Sequence, residues 1–141
     1  MMWHEETILE LQPVDIAEDA RRRILVLDDE PDHVEVLSTA LQRQGFDVVT
    51  ASSIQAGRLA VDLYHPNLVI MDVGLPDGDG LSFCQSLSDA PETCEIPVII
   101  LSGMDRTDIV RQARAAGCQY FLRKPYDPNA LLLLARSAIE N

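Results

Sequence analysis

Ile24-Leu25-Val26-Leu27-Asp28-Asp29-Glu30 delivers four apolar residues onto three acids. Three later stretches repeat the arrangement. Leu68-Val69-Ile70-Met71 runs into Asp72, Val98-Ile99-Ile100-Leu101 into Ser102, and Tyr120-Phe121-Leu122-Arg123 into Lys124-Pro125. Short runs rich in Val, Ile and Leu, bounded by polar residues, are the pattern of strands buried on both faces of a parallel sheet. In an open α/β sheet, ligands bind outside the carboxyl ends of the strands. Asp28, Asp29, Asp72, Ser102 and Lys124 are therefore expected at one place. Three carboxylates, a hydroxyl and an ammonium suit a metal ion together with a phosphoryl group.

Helical spacing fills the intervals. Pro31 is placed for a first helical turn, Val34, Leu37 and Leu41 give that helix a buried face, and Gly45 stops it. Asp47–Ala51 reads as a short second strand. Ser52 or Ser53 caps a second helix, with Ala56, Leu59, Ala60 and Leu63 on one side. After Asp72 comes the loop Val73-Gly74-Leu75-Pro76-Asp77-Gly78-Asp79-Gly80, then a short helix over about Leu81–Ser88, then loop from Asp89 to Pro97. A fourth helix is predicted from about Thr107 to near Gly117, and a fifth over Asp127–Glu140. Strict alternation of strand and helix implies a doubly wound α/β fold: five parallel strands with helices on both faces. The flavodoxin-like order 2-1-3-4-5 is the natural one, with its switch point between the first and third strands. Those strands carry Asp28, Asp29 and Asp72.

The chain of 141 residues suffices for one domain with a full core. Residues 1–22 do not follow the pattern and are read as a partly ordered extension, leaving 23–141 as the domain. The net charge of −12 would repel a polyanion, so direct nucleic-acid binding is not expected. No apolar run approaches the ~20 residues of a membrane helix, and the acidic Met-Met-Trp-His-Glu-Glu start is no secretory signal. Cys84, Cys94 and Cys118 share no metal-type spacing, which fits reduced thiols in a cytoplasmic protein.

Three bare carboxylates cannot share a small crevice without raising some of their pKa values. A divalent cation removes the conflict, and hard oxygen ligands favour Mg²⁺. Lys124 adds a fixed positive charge, and Ser102 a hydroxyl donor. Asp72, ahead of a glycine-rich loop, is left as the nucleophile that forms an acyl phosphate. Taken singly, each of these side chains is more simply a turn residue, a cap or a solvated surface group. Their joint occurrence at the ends of strands one, three, four and five is what argues for a site. His4, His33 and His65 show no such convergence and are read as ordinary surface or packing residues.

Residues 23–141 resemble the receiver domain of two-component response regulators. The resemblance is carried by Ile24–Glu30, by Met71-Asp72-Val73-Gly74-Leu75-Pro76-Asp77-Gly78-Asp79-Gly80, by Leu101-Ser102-Gly103 and by Phe121-Leu122-Arg123-Lys124-Pro125. It implies that Asp72 takes a phosphoryl group from a histidine of a sensor kinase or phosphotransfer protein. It implies Mg²⁺ on Asp29, Asp72 and the Gly74 carbonyl, with Asp28 acting largely through water. Ser102 and Lys124 would contact the phosphoryl group, Phe121 would be the aromatic switch, and Lys124-Pro125 would be cis. Ser102 stands where Thr is commoner in the family, and Phe121 lacks a tyrosine hydroxyl. Gly74 and Met104 occupy positions that tune phosphate lifetime. The implied protein is a signalling phosphoacceptor that assists its own phosphotransfer and slow dephosphorylation, not a turnover enzyme. Its output would pass through the fourth helix, fifth strand and fifth helix, the surface for a homodimer or an effector. Leu132, Leu133 and Ile139 lie off the fifth helix's buried stripe of Leu131, Leu134, Ala135 and Ala138, which suits either a wide buried face or such a partner surface.

Three other readings compete. A haloacid-dehalogenase-like phosphatase also uses an Asp nucleophile, but Glu30 stands where its second Asp belongs and no cap segment is evident. An FMN-binding electron carrier would want an anion-friendly loop where Asp28-Asp29-Glu30 stands. A degenerate scaffold would not retain the full cluster. The sequence reaches the end of the fifth helix at Asn141, and a stand-alone receiver, a relay intermediate and a portion of a longer protein all remain open.

Overall fold

Five parallel strands form the central sheet of the computed structural model, which describes residues 22–103 and 108–140. They are β1 (Arg23–Leu27), β2 (Asp47–Ala51), β3 (Leu68–Asp72), β4 (Val98–Ser102) and β5 (Tyr120–Arg123). Their order across the sheet is β2-β1-β3-β4-β5, as the strand and helix alternation predicts. Leu27 pairs with Met71, and Asp72 with Leu101, so β1, β3 and β4 end at nearly one level.

Five helices connect the strands: α1 (Pro31–Arg43), α2 (Ile54–Tyr64), α3 (Gly80–Asp89), α4 (Ile109–Ala115) and α5 (Pro128–Glu140). Alternation along each strand splits the core in two. Ile24, Val26, Ile70 and Ile99 face α1 and α5, against Leu37, Leu41, Leu131 and Ala135. Leu25, Leu27, Met71 and Ile100 face α2, α3 and α4, against Val61, Phe83, Cys84 and Ile109. The middle strands are buried on both faces, which is why they read as unbroken apolar runs.

Local signals set the boundaries. The Ser53 hydroxyl accepts the Ala56 N–H at 3.1 Å, so Ser53, not Ser52, caps α2. The Asp79 carboxylate accepts the Leu81 N–H at 3.0 Å and starts α3. Gly117, at φ +95°, carries the chain away from α4, and a side chain there would run into Ser88.

The buried stripe of α2 differs from the predicted one. Gly57, Ala60 and Val61 face the sheet, while Leu59 and Leu63 are 57% and 69% exposed. The cause is Gly57, where a Cβ would sit 3.0 Å from Leu27. The helix packs on its small residues and turns its leucines outward. In α5 the wide-face reading holds for Leu132 and Ile139, which pack against the core, and Leu133 alone of the three is 69% exposed. The loop after Asp72 contains a two-residue antiparallel ribbon, Gly74–Leu75 with Gly78–Asp79. The predicted extension up to residue 21, the start of the fourth helix at Thr107, and Met104 lie outside the described residues.

Candidate functional site

Asp28 follows β1 and Asp72 closes β3, and the direct pairing of these strands brings the two acids to adjacent strand ends. Asp28 is only 2% exposed. Its Oδ1 accepts the Glu30 N–H at 3.0 Å, an Asx turn that bends the chain into α1. Asp72 Oδ1 accepts the Gly74 N–H at 3.0 Å, the same device at the end of β3. Gly80 passes directly behind: a Cβ there would lie 3.0 Å from the Asp72 carbonyl and 3.1 Å from the Val73 backbone. The turn after the nucleophile candidate closes only because residue 80 has no side chain.

Lys124 reaches in from the end of β5. Its Nζ lies 2.7 Å from Asp72 Oδ2 and 4.0 Å from Asp28 Oδ2. Burial by itself would lower the Lys124 pKa. The hydrogen bond to Asp72 and the charges of Asp72, Asp28 and Glu30 outweigh it and hold the ammonium above its ordinary value. The Lys124-Pro125 bond is cis. Ser102, wholly buried at the end of β4, is next to this turn, and its carbonyl accepts the Lys124 N–H at 2.8 Å. Phe121 is half-buried on β5 and packs against the α2–α4 side of the core.

Of the predicted acids, Asp28 and Asp72 lie together, and Glu30 joins them. Carboxylate oxygens of Asp28, Glu30 and Asp72 lie within 4.8 Å of one another. Asp29 is exposed and lines the shallow groove beside Asp28, with Pro31, Thr50 and Ser52. Three carboxylate oxygens at this spacing, with no thiol in the group, form a hard donor set that fits a divalent cation such as Mg²⁺.

Two further residues belong to the site although sequence reasoning set one aside and passed over the other. His33 Nδ1 is hydrogen-bonded to Asp28 Oδ2, and its Nε2 lies 2.7 Å from the Tyr126 hydroxyl. The signal available was positional: His33 sits on the first turn of α1, just beyond the acids, and Tyr126 two residues after Lys124.

The chain is similar to known proteins in sequence and in fold. The sequence model of the response regulator receiver domain matches residues 24–136. The DNA-binding dual master transcriptional regulator RpaA of Synechocystis sp. is 34% identical over 83% of this chain and 48% of its own length. The KDP operon transcriptional regulatory protein KdpE of Escherichia coli is 34% identical over 82% of the chain and 50% of its own. The chain thus spans about half the length of these relatives. Among solved structures, the receiver domain of a signal transduction histidine kinase from Syntrophus aciditrophicus superposes with a TM-score of 0.79 at 26% identity, covering 84% of this chain and 89% of that one. The chemotaxis response regulator CheY4 of Vibrio cholerae shares the fold, with a TM-score of 0.76 at 22% identity over 82% of this chain and 97% of that one. Among the described residues no helix is long and apolar enough to cross a membrane.

Proposed function

The chain belongs to the response regulator receiver domain family, and from that premise we propose that Asp72 accepts a phosphoryl group from a phosphohistidine in a Mg²⁺-dependent transfer. One Asp72 oxygen attacks phosphorus, the N–P bond of the donor breaks, and the leaving imidazole nitrogen takes a proton from water. The observation that carries this reading is the Lys124 ammonium 2.7 Å from Asp72, inside a ring of carboxylates. A lysine there neutralises the nucleophile at rest and can follow the charge onto the phosphoryl oxygens as transfer proceeds.

Asp29, Asp72 and the Gly74 carbonyl hold Mg²⁺ in this proposal, Asp28 acts through water, and Glu30 joins the set because its carboxylate already reaches Asp28 and Asp72. The bound ion offsets negative charge on the transferring group. Ser102 then turns toward the phosphoryl group, and Phe121 moves inward behind it. Moving a two-state equilibrium from 1:99 to 99:1 needs about 5.5 kcal/mol, and new contacts from Ser102 and Lys124 supply part of it. The altered surface is α4, β5 and α5, where a second copy or an effector docks. The partners are a sensor histidine kinase or a phosphotransfer protein, met in the cytoplasm, and the role is signalling rather than turnover. The net charge of −12 disfavours nucleic acid for this domain alone, since relatives of twice its length include a DNA-binding regulator. The haloacid-dehalogenase-like reading gains no support from these matches.

The test is labelling of the whole chain with Mg²⁺ and acetyl phosphate, read by intact mass. One phosphoryl group is expected on the wild type and none on Asp72→Asn. Labelling that survives in Asp72→Asn, or multiple turnover on small phosphate esters, overturns the proposal.

A further inference from the structure

His33 uses both ring nitrogens, and its partners lie on opposite sides of the pocket. Nδ1 meets Asp28 Oδ2, and Nε2 is 2.7 Å from the Tyr126 hydroxyl, 93 residues away in sequence. Burial raises the Tyr126 phenol above its ordinary pKa, against the pull of Lys124. A carboxylate only accepts, so Nδ1 is the donor to Asp28, and a neutral imidazole then accepts the Tyr126 hydroxyl at Nε2. An imidazole that accepts at Nε2 carries its proton on Nδ1 and donates it to the carboxylate. In that tautomer donation runs one way, from Tyr126 to His33 to Asp28. The other Asp28 oxygen is held by the Glu30 N–H. Both oxygens of this nearly inaccessible carboxylate are thus oriented, while each keeps a lone pair for the pocket.

We propose that His33 and Tyr126 are positioning residues, which hold Asp28 at the angle the cation needs and lock the turn carrying Lys124 to the first turn of α1. Neither touches the phosphoryl group. Tyr126 follows Lys124-Pro125 directly, so one hydrogen-bonded strut fixes the acidic side and the ammonium side of the pocket together. The α1 and α5 helices, which share one face of the sheet, are joined at their starts by the same strut. This inference rests on the phosphoacceptor reading.

The experiment is Mg²⁺ titration of the whole chain by calorimetry, with ¹⁵N imidazole spectra and acetyl phosphate labelling alongside. His33→Leu weakens Mg²⁺ binding on the order of tenfold, the usual effect of removing a group that orients a metal-binding carboxylate. His33→Asn, whose amide can still donate to Asp28, restores most of that loss. In the wild type the His33 spectrum shows the proton on Nδ1, and in Tyr126→Phe it shows a tautomer mixture with a smaller loss of Mg²⁺ affinity. Thermal midpoints show that each variant is folded. Equal Mg²⁺ affinity in wild type and His33→Leu, no rescue by asparagine, or a wild-type proton on Nε2 each overturns the proposal while leaving the phosphoacceptor reading intact. A wild type that neither binds Mg²⁺ nor takes the label overturns that reading, and the strut's role with it.

Discussion

Lys124 is the residue whose removal separates two kinds of electrostatic work. Its ammonium lies 2.7 Å from Asp72 and 4.0 Å from Asp28. In Lys124→Met the carboxylates lose their counter-charge, so the pocket becomes more negative and attracts a second cation more strongly. Mg²⁺ affinity is therefore expected to rise or hold. Phosphotransfer needs positive charge where negative charge develops, and losing one such group costs about a hundredfold in rate. Parallel calorimetry and labelling time courses check the two opposite directions, and a fall in both would point to general damage instead. At this scale the sequence was legible wherever strand ends impose position: Asp28, Asp72, Ser102 and Lys124 all follow from the run of apolar residues before them. The closeness of Glu30 to the cluster, and the places of His33 and Tyr126, were not legible. An Asx turn at Asp28 and a contact between residues 93 apart are features that periodicity does not encode.

Elements show the same division. Strand and helix limits followed from apolar runs, caps and glycines, but the rotation of α2 followed from Gly57 meeting Leu27, a packing fact with no signature in helical spacing. The ribbon after Asp72 was likewise read only as loop. Its Asp77 accepts the Ile54 N–H at 2.8 Å and the Gln55 N–H at 3.1 Å, adding a distant second cap to α2. Those two backbone hydrogen bonds lower the Asp77 pKa below 3.8. A carboxyl lowered on folding stabilises the fold above its unfolded value, and the gain is lost as pH falls through the lower, folded value. Asp77→Ala should thus lower the thermal midpoint at pH 7, and the gap from wild type should close as pH falls below 3.8. A gap that is constant with pH would assign the effect to packing. On α5, Leu132→Glu is expected to cost more than about 1 kcal/mol, because Leu132 packs on the core, while Leu133→Glu, at an exposed site, stays within about 0.5 kcal/mol. Denaturant unfolding of both variants checks the contrast, and only Leu133→Glu is then fit to probe a partner surface.

Across the whole molecule, a net charge of −12 works against compactness. The repulsion is spread over the surface and is screened by any salt, since the Debye length falls to about 10 Å at 0.1 M. The carboxylate ring is different: Asp28, Glu30 and Asp72 concentrate charge at one end of the sheet, where a bound cation would join β1, β3 and the start of α1. Two salt effects should therefore be separable. Sodium chloride raises the thermal midpoint gradually and without saturation at low millimolar levels. Magnesium chloride at equal ionic strength adds a saturable increment, because a ligand bound only by the folded state stabilises it by about 2.7 kcal/mol at a hundred times its Kd. Asp28→Asn removes the saturable part and keeps the screening part. Calorimetric melting in matched ionic strength distinguishes them, and an equal response to both salts would mean that the acidic ring acts only as surface charge.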